Sequence, residues 1–415
     1  MHGDGAIFGA DGQTSSPQSN LNGGGIATFY HPPTLINGEM VFDVFALGTR
    51  GAGKTLFLSA LYHQLSVLDR NSNNFFIELC SEQPNKAAKQ RTFLVRTYDQ
   101  ATNPEASWPP GNATINEYDF ACRYHAAGKT TPLFRFRYLD YPGGYLTGDV
   151  DGPEDLDIPK QTQKAHSILV LIDGQKVLAA LEGLPMVGPS LHAEINITIP
   201  FLQSCADRPI QFIVTKWDIL DGHHSLKEVR DELLKNENFR KYVEQRIAQR
   251  LPVHLIPVSA LGNDFAEFDR AENKMRKKKD GRVQPYNIDL CLGMVLTDHL
   301  LLLANRREYQ TFHVYGMYLL RMLKWLIKGV EETAKVLTLP DAISFVRTER
   351  ILQLLGSAQK NLIESEQGLR QQIEDTVKEI KNQKSAIQAI LMIQAMRRNW
   401  FYGRFPDADL TTRAM

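Results

Sequence analysis

A doubly wound α/β sheet followed by a C-terminal helical region is the fold class predicted by this 415-residue sequence, on three observations. The run from Val41 to Tyr62 passes from an apolar strand through a glycine-rich turn directly into a helix. Between Ser167 and Val258, nearly continuous apolar strands alternate with helical stretches, as in a parallel sheet covered on both faces. Beyond Tyr309 the periodicity is wholly helical. The length suffices for one generous core plus an accessory region. The 47 basic and 47 acidic residues balance, which gives no global attraction for nucleic acid or an acidic membrane surface. Cys80, Cys122, Cys205 and Cys291 form neither a zinc spacing nor a dense disulfide framework, so buried thiols in a reducing compartment are expected. No secretory start and no uninterrupted run of transmembrane length are evident, and a cytoplasmic protein is expected.

Residues 1–37 are rich in Gly, Ser, Asn and Pro and read as a flexible tail, with Ile26 to Tyr30 as its one point for pinning. The first strand and its turn lead to a helix ending near Leu68, then a short strand at Phe75 to Leu79. Asn85 to Tyr98 reads as a helical insertion. Trp108-Pro109-Pro110-Gly111 breaks any helix. Glu117 to Tyr124 and Leu133 to Leu139 predict two strands joined as a hairpin around His125 to Gly128. Ser167 to Asp173, Gln211 to Val214 and Val253 to Val258 predict buried strands, with helices at Leu191 to Cys205 and Leu226 to Arg250. Asp269 to Arg282, containing Arg276-Lys277-Lys278-Lys279, reads as a solvated loop, with a docking patch for phosphate or nucleic acid as the less favoured alternative, since no aromatic residues interleave the charges. A helix at Ile288 to Ala304 closes a domain of residues 38–307. The region 308–402 is helical. Its apolar stretch Phe312 to Ile327 suits core packing, a partner face or membrane contact, in that order. Leu355, Leu362 and Leu369, with Ile373, Ile380 and Ile387, make a stripe that suits a helical hairpin or a dimeric coiled coil. Residues 403–415 read as a polar tail.

The turn has the full phosphate-loop pattern, Gly48, four residues, then Gly53-Lys54-Thr55. Its glycines, including Gly51, let backbone N–H groups around Ala52 converge on one anion at the positive end of a helix. Lys54 is expected to reach the β- and γ-phosphates, and the Thr55 hydroxyl to hold magnesium. Four further features follow in order. Asp140 ends a strand ahead of Pro142-Gly143 and is expected to hold magnesium through water, with the Gly143 N–H sensing the γ-phosphate. Thr114 is the candidate to complete the magnesium shell, and Thr102 its reserve. Thr215-Lys216-Trp217-Asp218 follows an apolar strand. Asp218 can accept from the ring N–H and exocyclic amine of guanine, and Lys216 can cover base and ribose with its stem. Ser259-Ala260-Leu261 follows the last strand and can support the base through a backbone N–H.

These motifs, each at a strand's C-terminal end, resemble those of the P-loop GTPases of the translation-factor-related class, with a small-GTPase-like doubly wound sheet. Asp-x-Pro-Gly-Gly and the insertion before Trp108 also resemble the bacterial double-GTPase group. The resemblance spans Val41 to Ala304 and implies GTP/GDP and Mg2+ as ligands, GTP hydrolysis as activity, and Lys54, Thr114, Gly143 and Arg50 as the residues nearest the reaction. Two departures stand out. Gly144 occupies the place where many members carry a glutamine that orients water, which implies slow turnover or outside help. Arg50 lies where a small residue is common; it either supplies charge in cis to the γ-phosphate or points to solvent. His125 and His166 are the reserves for positioning water. The alternatives are a GTP-responsive scaffold that does not hydrolyse, an ATP-dependent protein, and a membrane-remodelling protein. A protein partner on the C-terminal helices is expected, with a homo-oligomer compatible and without a specific nucleic-acid signal or a transmembrane span.

Overall fold

The computed structural model describes residues 34–36, 39–67, 75–112, 114–126, 129–148, 158–184, 190–203, 205, 208–249, 251–272, 274–305 and 396–411. Strand β1 (Thr34–Ile36) pairs antiparallel with the start of β2 (Glu39–Leu47), which runs through the glycine-rich turn into helix α1 (Lys54–Leu65). Then come β3 (Phe75–Cys80), α2 (Pro84–Thr102), β4 (Asn116–Ala126), β5 (Lys129–Asp140), α3 (Gly144–Thr147), α4 (Ile158–Lys164) and β6 (Ser167–Asp173). The chain continues with α5 (Gly174–Glu182), α6 (Leu191–Gln203), β7 (Ile210–Thr215), α7 (Leu226–Leu234), α8 (Glu237–Ala248) and β8 (Val253–Pro257). A hairpin, β9 (Ala266–Asp269) with β10 (Lys274–Lys277), precedes α9 (Ile288–Asn305), and residues 396–404 form α10.

The main sheet has the order β3-β4-β5-β2-β6-β7-β8. Its five strands from β5 to β8 run parallel, and β4 and β3 extend it by antiparallel pairing. Burial explains the apolar runs: β6 and β7 are buried at every residue, so no polar alternation survives in them. Helix α1 packs with α2 and α9, while α3 through α8 pack among themselves. The chain leaves β2 through α1 for β3 on one side, and from β5 it crosses through α3 and α4 to β6 on the other side of β2. The crevice beyond the strands' C-terminal ends at that divergence is where open α/β sheets bind ligands.

Three sequence expectations change. Leu226 to Arg250 is two helices, because Asn236 leaves the helical path and its side chain accepts from the Phe239 N–H at 3.1 Å, capping α8. Ser225 and Glu228 cap α7 reciprocally. The charged stretch from Asp269 holds β10 rather than a loop alone. Arg276, exposed, is paired with Asp269 at 2.8 Å and Glu272 at 3.0 Å, and Lys277 turns inward onto the Gln100 carbonyl. The segment after Trp400 docks on the body: Phe401 is fully buried, and the Leu410 N–H donates to the Val253 carbonyl at 3.1 Å, extending the β8 edge. Tyr402 Oη meets His254 Nδ1, whose Nε2 lies 2.9 Å from Asp298, and Arg230 binds Asp407 at 2.6 Å. This cover removes an exposed sheet edge. Cys122, Cys205 and Cys291 are buried thiols and Cys80 is half-buried. Among the described residues no helix is long and apolar enough to cross a membrane. Ile26 to Tyr30, Phe312 to Ile327 and the Leu355 to Ile387 stripe lie outside the described residues.

Candidate functional site

The phosphate loop leaves β2 at Gly48 and meets α1 at Gly53. Gly51 and Gly53 hold φ of 88° and 81°, the left-handed region that side chains avoid. That path turns the N–H groups of Gly51, Gly53, Lys54 and Thr55 away from the chain's own carbonyls, and none has an acceptor among the described residues. Orphan donors at the positive end of a helix of 12 residues make an anion site. Lys54 closes over it: its Nζ donates to the Gly48 and Thr49 carbonyls at 2.6 and 3.3 Å and lies 4.9 Å from the Tyr141 ring centroid. Burial lowers the Lys54 ammonium to about 8, opposed by Asp140 and Glu194. Ala52 is tied by its carbonyl to the Thr215 hydroxyl at 3.0 Å, which joins the loop to the end of β7.

Asp140, at the end of β5, is fully buried. Its Oδ2 accepts from the Thr55 hydroxyl at 2.9 Å and from Asn112 Nδ2 at 3.0 Å, while the buried Oδ1 has no partner among the described residues. Burial raises its carboxyl, against the pull of Lys54, Thr55 and Asn112. A dehydrated carboxylate oxygen beside a helix-start hydroxyl is a hard-oxygen pair suited to magnesium, which keeps most of its shell for water and phosphate. Residues Thr55 and Asp140 therefore fit that ion. Gly143 lies against the loop: a Cβ there would meet the Thr49 carbonyl carbon at 2.3 Å and the Arg50 nitrogen at 2.4 Å.

At the other end of the crevice Lys216 takes φ of 52°, costly for a side chain that carries a Cβ. The turn lets the Trp217 N–H donate to the Val258 carbonyl at 3.0 Å and sends Lys216 Nζ to Asp173 at 2.8 Å and Gln175 at 2.5 Å. Asp218 is half-buried; its Oδ1 accepts from the Ser259 hydroxyl at 2.6 Å, and burial raises its carboxyl against that bond. The Leu261 and Gly262 N–H groups donate to the Ser259 hydroxyl at 3.3 and 2.8 Å, and the Ala260 N–H has no acceptor among the described residues. Asp218 and Ala260 thus offer an acceptor and a donor on adjoining loops.

The fold gathers Gly48 to Thr55, Asp140, Gly143, Thr215 to Asp218 and Ser259 to Leu261 at one sheet edge. Thr114 stands one link away: its N–H donates to Asn112 Oδ1 at 3.0 Å, and Asn112 rather than Thr114 touches Asp140. Thr102 is spent on its own helix, donating to the Tyr98 carbonyl at 2.9 Å. His125 faces Thr130 across the hairpin, ten residues of β5 from Asp140 and therefore about 30 Å away. His166 precedes β6 and accepts the Asp43 N–H at 2.8 Å, at the opposite end of the sheet from Asp173. Neither histidine can position water here. Arg50 is exposed and makes no ion pair among the described residues, in keeping with the solvent-facing alternative, and Gly144 is buried at the start of α3. Sequence reasoning missed Asn112, Tyr141, whose hydroxyl accepts the Gly48 N–H at 3.1 Å, and Glu194, which accepts from both the Thr49 hydroxyl and Lys176 behind the loop. A signal for Glu194 existed: it is the one acid of an otherwise uncharged helical stretch from Leu191 to Gln203.

No protein-family model matches the sequence, and no curated protein matches it. Among solved structures it is similar to a chain of the "Signal recognition particle receptor SRb-GTP/SRX complex" from Chaetomium thermophilum, at 15% sequence identity and a TM-score of 0.29, over 53% of this chain and 91% of that one. At that identity and score the similarity assigns no chemistry to this chain.

Proposed function

We propose that the chain is a guanine-nucleotide switch that binds GTP and GDP with Mg2+ and hydrolyses GTP slowly. The observation that carries the reading is the meeting, along one sheet edge, of a loop of orphan N–H donors with Lys54, a buried Asp140 on Thr55, and an Asp218 carboxylate held by Ser259. The first serves phosphate, the second a divalent ion and the third guanine. Adenine presents an acceptor where Asp218 requires a donor, so the same edge disfavours ATP.

In hydrolysis water attacks the γ-phosphoryl and GDP leaves. Lys54 exchanges its two carbonyl acceptors for phosphate oxygens, and the loop N–H groups take the charge that develops. Thr55 and Asp140 would hold magnesium, which when bound neutralises β- and γ-phosphate charge. Gly143 and the Asn112 to Thr114 stretch are the parts expected to shift with the γ-phosphate. With no side chain on Gly144 and both candidate histidines remote, none of these three positions can orient the water, which supports slow turnover and keeps the non-hydrolysing scaffold as the second reading. A partner on the region after 308 would read the nucleotide state or supply the missing group. A single-turnover assay of the purified chain is expected to give slow but Lys54-dependent phosphate release; release no faster than in a Lys54→Ala variant selects the scaffold.

A further inference from the structure

Segment 98–112 runs from one end of the crevice to the other. Tyr98 Oη donates to the Ala260 carbonyl at 3.4 Å beside the expected base, and Asn112 touches Asp140 at the expected ion. Between them the chain is fastened to a hairpin that no motif includes. Lys277 of β10 spends three donors on the carbonyls of Gln100, Asn103 and Ala106, at 2.7, 2.9 and 2.9 Å, and lies 4.7 Å from the Trp108 ring centroid. The Trp108 Nε1–H in turn donates to the Met275 carbonyl at 2.9 Å. An ammonium on the last carbonyls of a helix satisfies orphan acceptors and opposes the helix dipole. Pro109 and Pro110 stiffen the few residues that separate this fastening from Asn112. Asn112 lies four residues beyond Trp108, against Asp140.

Resting on the guanine-nucleotide reading, we propose that Lys277 is a positioning residue: with Trp108 it latches the loop before Thr114 onto the β9–β10 hairpin and thereby sets how long nucleotide stays bound. The latch lies outside the base contacts of Asp218 and Ser259, so it governs residence and not choice of base. It also gives the inward-facing lysine of the basic run a role that neither a solvated loop nor an anion patch supplies.

The test is release of a fluorescent GDP analogue, in magnesium, from the full chain and from Lys277→Met, which keeps the stem and removes the donors. Loss of charge-assisted bonds predicts release at least about fivefold faster, with guanine-over-adenine preference unchanged. Trp108→Phe, which removes the indole donor and shrinks the ring beside Lys277, is expected to move release in the same direction and decides the matter if Lys277→Met fails to fold. An unchanged release rate in folded variants overturns the latch while leaving nucleotide binding standing. Failure of the unaltered chain to bind the analogue removes the guanine-nucleotide reading, and the latch with it.

Discussion

Lys54 is held in the phosphate loop by two carbonyls in a site dry enough to bring its ammonium down to about 8 from an ordinary 10.5. Polyphosphate pulls the other way, so the bound protein keeps the proton to higher pH than the free protein. Linkage then makes affinity for GDP level below about pH 8 and falling above it, by about tenfold per pH unit until the bound-state value is reached. For folding the sign is reversed. The unfolded chain holds this proton up to 10.5 and the folded one only to about 8, so this group makes stability rise between those values. Equilibrium titrations of a fluorescent GDP analogue from pH 7 to 9.5 measure the first slope; a flat profile places Lys54 away from the phosphates. Asp218→Asn exchanges an acceptor pair for an amide and leaves the Ser259 hydroxyl a carbonyl to bind. Its expected effect is a loss of guanine preference of about 1–3 kcal/mol, or roughly five- to 150-fold, measured by competition of GDP against ADP.

At the scale of elements, the passage from β5 into α3 lies on the phosphate loop so closely that Gly143 admits no side chain. Gly143→Ala must push this passage off Thr49 and Arg50 of that loop, and overpacking of this kind costs about 1–3 kcal/mol. Urea denaturation of the nucleotide-free protein is expected to show that loss, and an unaltered midpoint would mean that the two loops do not meet. Elements of this kind were legible to differing degrees. The strand, turn and helix from Val41 to Tyr62 carried their own signal, because glycine spacing and apolar runs are local properties. Asp140 and Asp218 were legible from strand ends. Asn112 was not, because a side chain in a Pro-Gly loop announces no partner 28 residues away. Lys277 read as solvated because one inward lysine in a run of four cations leaves no trace in composition; only the carbonyls of α2 reveal its direction. The break at Asn236 was hidden by helical periodicity on both sides, although Asn is a capping residue.

At the scale of the molecule, five parallel strands bring Lys54, Asp140, Asp218 and Ser259 to their C-terminal ends, and described residues on both sides of 306–395 pack on the same body. Helix α9 packs on α1, and residues 396–404 pack on the same body, with Arg397 on Asp289 at 2.6 Å and Phe401 buried. A partner binding between those attachments would act on the α9 and β8 side of the sheet, where the chain beyond β8 runs through Val258 to Ser259 beside Asp218. The central claim is that this edge holds guanine nucleotide. Its most direct test is to denature the protein as purified and identify the released nucleotide by chromatography, then to compete GDP and ADP for the same chain in magnesium. Recovered GDP or GTP, or stronger competition by GDP than ADP, is the predicted result; equal competition by the two, or recovery of adenine nucleotide alone, contradicts it.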